Sequence, residues 1–207
     1  MSLDQPLDIV NAACSLIGHE PLQDLAEETL GGQSAALLYD KVVDFNLALE
    51  PFDFAHDLRQ LSAVAGPAPA SGYATVWDIP GARLGPPRWF TDDPSDPDRR
   101  FSRFVMMRGQ VHATADVLWA YVPFRPEPWE WSALFRAATV TALAGDLALA
   151  IASDTNLSNR LKTDAYGVPS ENYRGGQMRA AITANSQAAP PRKADWRNNP
   201  FERAWRG

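Results

Sequence analysis

Apolar positions near the start of the chain recur at helical intervals. Val10, Cys14 and Ile17 share a face and Gly18 offers a C-cap, so the pattern predicts a short helix over about 7–18. Leu38, Val42, Phe45 and Leu49 fall at i, i+4, i+7 and i+11, the stripe of a longer helix. That helix is predicted over 29–62, interrupted at Pro51 and resumed through "FDFAHDLRQL". Between 72 and 123 the helical period disappears. "YATVWDI", "RFVMM" and "VLWAYV" are short, aromatic and β-branched, as strands are. "GPPRWFTDDPSDPDRR", with four prolines, reads as an exposed loop of this β element. Helical spacing returns over 128–153, where Pro128 suits a first turn and Glu130 the N-terminal charge. It continues over 155–166, ended by Gly167, and over 171–187, with Ser170 as the cap. Gly175 and Gly176 fall inside that last prediction at ~1 kcal/mol each relative to alanine, so a kink or a close helix contact is expected there.

These elements predict a mainly α fold, a helical bundle of four to five helices with a small inserted β element, a hairpin or three-stranded sheet. Residues 1–187 would form one domain and 188–207 an extended C-terminal tail. Composition agrees with a folded chain, since 45% hydrophobic and 21% charged residues exclude the disordered class. The apolar run at 133–152 is interrupted by Arg136 and Asp146, with nine uncharged residues between them, short of the ~20 a membrane span needs. It reads as a buried helix, and no membrane partner is expected. "MSLDQPLDIV" has neither the basic nor the apolar region of a secretory signal, which points to a cytosolic start. The one cysteine, Cys14, sits on an apolar stripe and reads as a small buried hydrophobe.

Charge separates body from tail. The net charge is −6, and five basic against two acidic residues give 188–207 a charge of +3, leaving −9 for the rest. Opposite signs suggest a separate task for the tail.

Candidate catalytic chemistry is sparse. His19, His56 and His112 share no ligand spacing, "LGGQSA" lacks a phosphate-reaching lysine, and "GARLG" lacks a third glycine. Asp40, Asp44 and Asp57 read as a charged helix face. The expectation is a protein with no catalytic residues, no metal and no cofactor, hence not an enzyme.

Several stretches in order resemble one family. They are "IVNAACSLIGHEPLQDLAEE", "AALLYDKVVDFNLALEPFDFAHDLRQL", "VWDIP", "VLWAYV" and "WSALFRAATVTALAGDLALAI". Together they are similar to the head-to-tail adaptor (connector) proteins of tailed phages, the group that includes tubular tail protein A, and to the adaptors of gene transfer agents. The signatures are a leading helix ending in Ile17 and Gly18, the pair Tyr39 and Asp40, and a box with Pro51, Phe52, Phe54 and Ala55, followed by the stretch from Trp77 to Pro80. Phe52 departs from the pattern, which commonly has tryptophan there; one large aromatic replaces another.

The resemblance implies a virion structural role at the neck or tail, in a protein made in the host bacterial cytoplasm. It implies a ring of identical subunits, usually twelve, beneath the portal protein and followed by a further neck or tail protein such as a stopper or nozzle. Double-stranded DNA would pass through the ring without specific binding. A negative lining repels phosphates and suits such a channel, although solubility alone also explains the sign. The alternative is a helical interaction module unrelated to virions that uses its basic, aromatic tail as a peptide ligand. Exposed aromatics such as Trp89 and Trp129 would belong to interfaces between subunits.

The tail itself, "RKADWRNNPFERAWRG", follows Pro190 and Pro191. Asn199, Pro200 and Glu202 form a start like a capping box, and Phe201 and Trp205 then share a helix face. So short a helix is marginal alone and is expected to order on binding. Trp196, Arg197, Pro200, Phe201, Arg203, Trp205 and Arg206 are the candidate portal-docking residues, since tryptophan and arginine most often anchor interfaces. Packing back onto its own domain and a solubilising end are the competing readings.

Overall fold

The computed structural model describes residues 3–27, 29–67, 69–96 and 99–188. Among them are five helices and seven strands in two antiparallel sheets. This corrects the expectation of a mainly helical bundle with a small β insert: the fold is a mixture of helices and substantial sheet.

The helices are α1 (Pro6–Leu16), α2 (Leu30–Leu49), α3 (Ala133–Ala150), α4 (Thr155–Tyr166) and α5 (Gly176–Ala188). Helix α3 lies at the centre, packed against the other four. By length and composition it could cross a membrane, but 61% of it is buried inside the fold. Phe135, Leu143 and Leu147 are fully buried on it, and Ala138, Ala142, Ala144 and Ala148 keep its surface low enough for neighbours to approach. Gly145 carries this furthest, because a Cβ there would lie 2.9 Å from the Lys162 side chain on α4.

Helix ends follow local chemistry. The Thr29 hydroxyl accepts from the Gly32 N–H, Ser132 from Phe135 N–H and Asp154 from Leu157 N–H, each satisfying a donor of the first turn. Helix α3 therefore starts at Ala133 and not at 128: Pro128 begins a separate 3-10 turn, Pro128–Glu130. Helix α5 starts at Gly176 and not at 171, because Asn172 and Tyr173 take left-handed φ values that no helix accommodates. Gly175 and Gly176 consequently stand at its threshold, where the Gly175 N–H donates to Tyr166 O on α4. Close contact, not a kink in mid-helix, explains them.

The largest departure follows Pro51. Helix α2 ends at Leu49, and Glu50 is extended, as a residue before proline prefers. After a 3-10 turn at Asp53–Ala55, the segment expected to resume the helix to 62 instead forms β1 (His56–Gln60) and β2 (Ser62–Val64). "HDLRQ" has no β-branched residue; it is a strand because β7 (Trp119–Pro123) supplies its hydrogen-bond partners, with Leu58 opposite Tyr121. The remaining strands are β3 (Thr75–Asp78), β4 (Trp89–Thr91), β5 (Phe104–Met107) and β6 (Gln110–Ala113). One sheet has the order β1-β7-β4 and the other β2-β3-β6-β5. Strand β4 comes from the stretch expected to be a loop. Strand β6 follows β5 through a two-residue turn, Arg108 and Gly109, both at positive φ; such turns match the twist of a hairpin.

Two apolar cores result. One fills the helical part, and the other lies between the sheets with Leu61, Trp77, Phe90, Val111, Leu118 and Val122. Two buried asparagines in the helical part are fully paired. The Asn46 amide donates to Thr139 Oγ1 at 3.0 Å and accepts from the Tyr166 hydroxyl at 2.6 Å, joining α2, α3 and α4. Asn11 likewise donates to Leu22 O and accepts from Leu22 N–H, fixing the loop after α1.

Asn46→Ala leaves two buried hydroxyls short of a partner. It is expected to cost about 2–4 kcal/mol, read as a fall of several degrees in Tm by circular dichroism. An unchanged Tm would show that the network contributes nothing.

Candidate interaction site at the joint between helices and sheets

The chain passes between the two cores along two segments, 50–56 and 123–132. They run side by side, tied where the Phe124 N–H donates to Ala55 O at 3.0 Å. Phe52 and Phe54 reach from the first segment to Phe135 on α3, with centroids at 4.8 and 5.2 Å, and Trp131 approaches from the second at 5.3 Å. Trp131 Nε1–H also donates to Pro126 O at 3.0 Å. From α5, Asn185 accepts from the Asp53 N–H and donates to Pro51 O.

Arg125 connects this joint to α2. Its guanidinium donates to Asp40 Oδ1 at 2.7 Å, lies 3.5 Å from Asp44 Oδ1, and sits over the Tyr39 ring at 5.4 Å. Burial pushes the Tyr39 hydroxyl up to about 12, against the opposing pull of Arg125, so it stays protonated. On the sheet side, Arg59 donates to Pro80 O and Ala82 O and lies over Phe124.

Arg125 and its neighbour Phe124 therefore link Tyr39 and Asp40 on α2 to the segment that carries Pro51, Phe52, Phe54 and Ala55. Phe52 and Ala55 are buried. Pro80 joins them through Arg59. Trp77 lies apart in the sheet core, and Gly18 lies apart at the end of α1, with φ +72°. The candidate tail residues Trp196, Arg197, Pro200, Phe201, Arg203, Trp205 and Arg206 lie outside the described residues. Sequence reasoning missed Arg125, Phe124, Arg59, Asn185 and Phe135 as joint residues. A usable signal was "VPFRPEPW", where three prolines bracket one arginine.

A stack of rings crosses the outer face of the three-stranded sheet. His56 lies on Tyr121 at 4.8 Å, Tyr121 on Trp89 at 4.9 Å, and the Arg100 guanidinium covers Trp89 at 3.7 Å. His56 Nδ1–H donates to Phe52 O at 2.8 Å, leaving a buried Nε2 with no partner. Burial holds this imidazole below its usual 6.5, and Arg88 adds to the effect, while the Phe52 carbonyl and Asp53 oppose it. The same burial, assisted by Asp53, pushes the Tyr121 hydroxyl up. Burial likewise pushes up the Cys14 thiol, which leaves little reactive thiolate. No group of three or more potential metal ligands gathers among the described residues.

The joint thus positions and connects; its chemistry is packing, hydrogen bonding and one branched ion pair. Arg125→Ala is expected to cost about 1 kcal/mol, since its partners are part-exposed, and the loss should shrink in high salt. Urea midpoints at two ionic strengths measure both. Because the folded His56 binds its proton less readily than the unfolded one, its contribution is present above 6.5 and is lost as pH falls through the lower folded value. The stability gap between wild type and His56→Gln is expected to narrow below pH 6.5, and a constant gap would contradict this. No protein-family model matches the chain, and no curated protein matches it.

Proposed function

We propose that this chain is a non-enzymatic head-to-tail adaptor of a tailed phage or gene transfer agent. Copies form a ring, commonly of twelve, beneath the portal protein, carry the next neck or tail protein, and continue a channel that double-stranded DNA crosses without specific binding. It acts in the virion after synthesis in the bacterial cytoplasm, with no cofactor.

The observation that carries the reading is the joint. Two sequence features through which the chain resembles adaptors, the Tyr39 and Asp40 pair and the Pro51 to Ala55 box, lie on different elements yet meet through Phe124 and Arg125. Features linked in this way support a resemblance more strongly than scattered ones. The strip 188–207 supplies the hold on the portal by its composition: +3 charge and three large aromatics. In a ring, each docked copy raises the effective concentration of its neighbours, so a modest affinity per tail suffices.

The test mixes portal rings of the same particle with the full chain and with a chain stopped after Ala189, and measures co-sedimentation. The full chain is expected to bind and the shortened chain to bind at least about tenfold more weakly. Binding by neither favours a free interaction module that uses the strip as a peptide ligand. Equal binding by both keeps the adaptor and removes the docking role of the strip.

A further inference from the structure

Two surface features at opposite ends of α3 complement each other. The first is a projection. Trp129 is 61% exposed on the 3-10 turn Pro128–Glu130, although the residues on either side of the turn are tied down. The Glu127 N–H donates to Glu130 Oε2 at 2.8 Å, Pro128 is buried, and Trp131 is buried and bonded to Pro126 O. The indole is therefore presented on a turn that is already ordered, which lowers the entropic cost of binding. Glu127 and Glu130 flank it with two negative charges.

The second feature is a half-open groove of about 700 Å³ between α2, α4 and the turn after α4. Its apolar walls include Phe45, Val168 and Tyr173, exposed by 39%, 49% and 57%. Phe45 was expected on the buried stripe of α2. Instead it stands at the groove, its edge against Tyr166 and Tyr173. Lys41 and Lys162 stand on the same groove and share the carboxylate of Asp146, at 3.6 and 2.6 Å. Two lysines on one aspartate leave a net charge of +1.

We infer that the Trp129 turn of one copy docks in this groove of a second copy, with Glu127 and Glu130 facing Lys41 and Lys162. Charge selects this occupant over the basic strip 188–207, whose sign matches that of the groove lysines. The contact cannot close within one copy. Asp146, beside the groove, lies thirteen positions along α3 from Ala133, beside the turn, about 20 Å at the helical rise. A contact between two different patches is head-to-tail, and it closes into a ring where the rotation between copies permits. The inference rests on the reading of the chain as a ring subunit and names the contact between subunits.

Sedimentation velocity over a wide concentration range tests it, with the full chain, Trp129→Ala, Val168→Asp, and an equimolar mixture of the two variants. Both sites are exposed, and circular dichroism verifies that the variants fold. The full chain is expected to self-associate, and each variant alone to do so at least about tenfold more weakly. The mixture is expected to form a one-to-one pair that does not grow, because it retains one intact projection and one intact groove. A full chain that stays monomeric at every concentration overturns the inference, as does unchanged association of Trp129→Ala or a mixture that fails to pair. Portal co-sedimentation of Trp129→Ala reports separately: retained binding with failed self-association leaves the adaptor reading standing while this contact falls.

Discussion

Phe135 is the side chain on which both crossings between the helical and sheet cores converge. It is fully buried on α3, and it receives Phe52 and Phe54 from the incoming crossing and Trp131 from the outgoing one. Offset and edge contacts of this kind add to the free energy of burial, so the cluster fixes directions as well as distances. The 3-10 turn ahead of β1 is thereby aimed at the sheet, and the start of α3 is aimed at the helices. A smaller residue at 135 would leave three rings facing a cavity, with a cost of about 3–5 kcal/mol.

Asparagines perform the matching polar task. Asn11, Asn46 and Asn185 each donate and accept at once; Asn11 holds the loop after α1, and Asn46 and Asn185 join segments distant in sequence. An amide can do this because it carries a donor and an acceptor on one planar group. Asn46 is buried among apolar helices, where an unpaired amide is expensive, so the arrangement of α2, α3 and α4 that satisfies it is favoured over slipped alternatives. The joint therefore combines an apolar anchor with polar contacts that specify orientation.

Residues that carry the resemblance are mostly interior or engaged in the joint, so they shape the molecule. The exposed features lie elsewhere: the ordered turn that presents Trp129, the groove between α2 and α4, and the outer face of the three-stranded sheet with its stacked rings. Trp89, expected to be an exposed contact residue, is half-buried between Tyr121 and Arg100. Trp129 is the exposed one.

Much of the helical part was legible in the chain because its signals are local. Gly167 ends α4 where its positive φ is needed, Pro51 breaks the run after α2, and the small, apolar composition of 133–150 marks a central helix. The pairing of Tyr39 and Asp40 with the Pro51 box was legible as motif but not as contact, since Arg125 lies some 70 residues beyond the box. Tertiary structure alone decided that "HDLRQ" is a strand, that α3 begins at Ala133, and that Phe45 faces a groove. The physical reason is common to all three. A short strand obtains its hydrogen bonds from a distant partner, a helix start depends on which cap the approaching chain can reach, and a stripe of apolar residues does not say which of its edges the neighbours will cover.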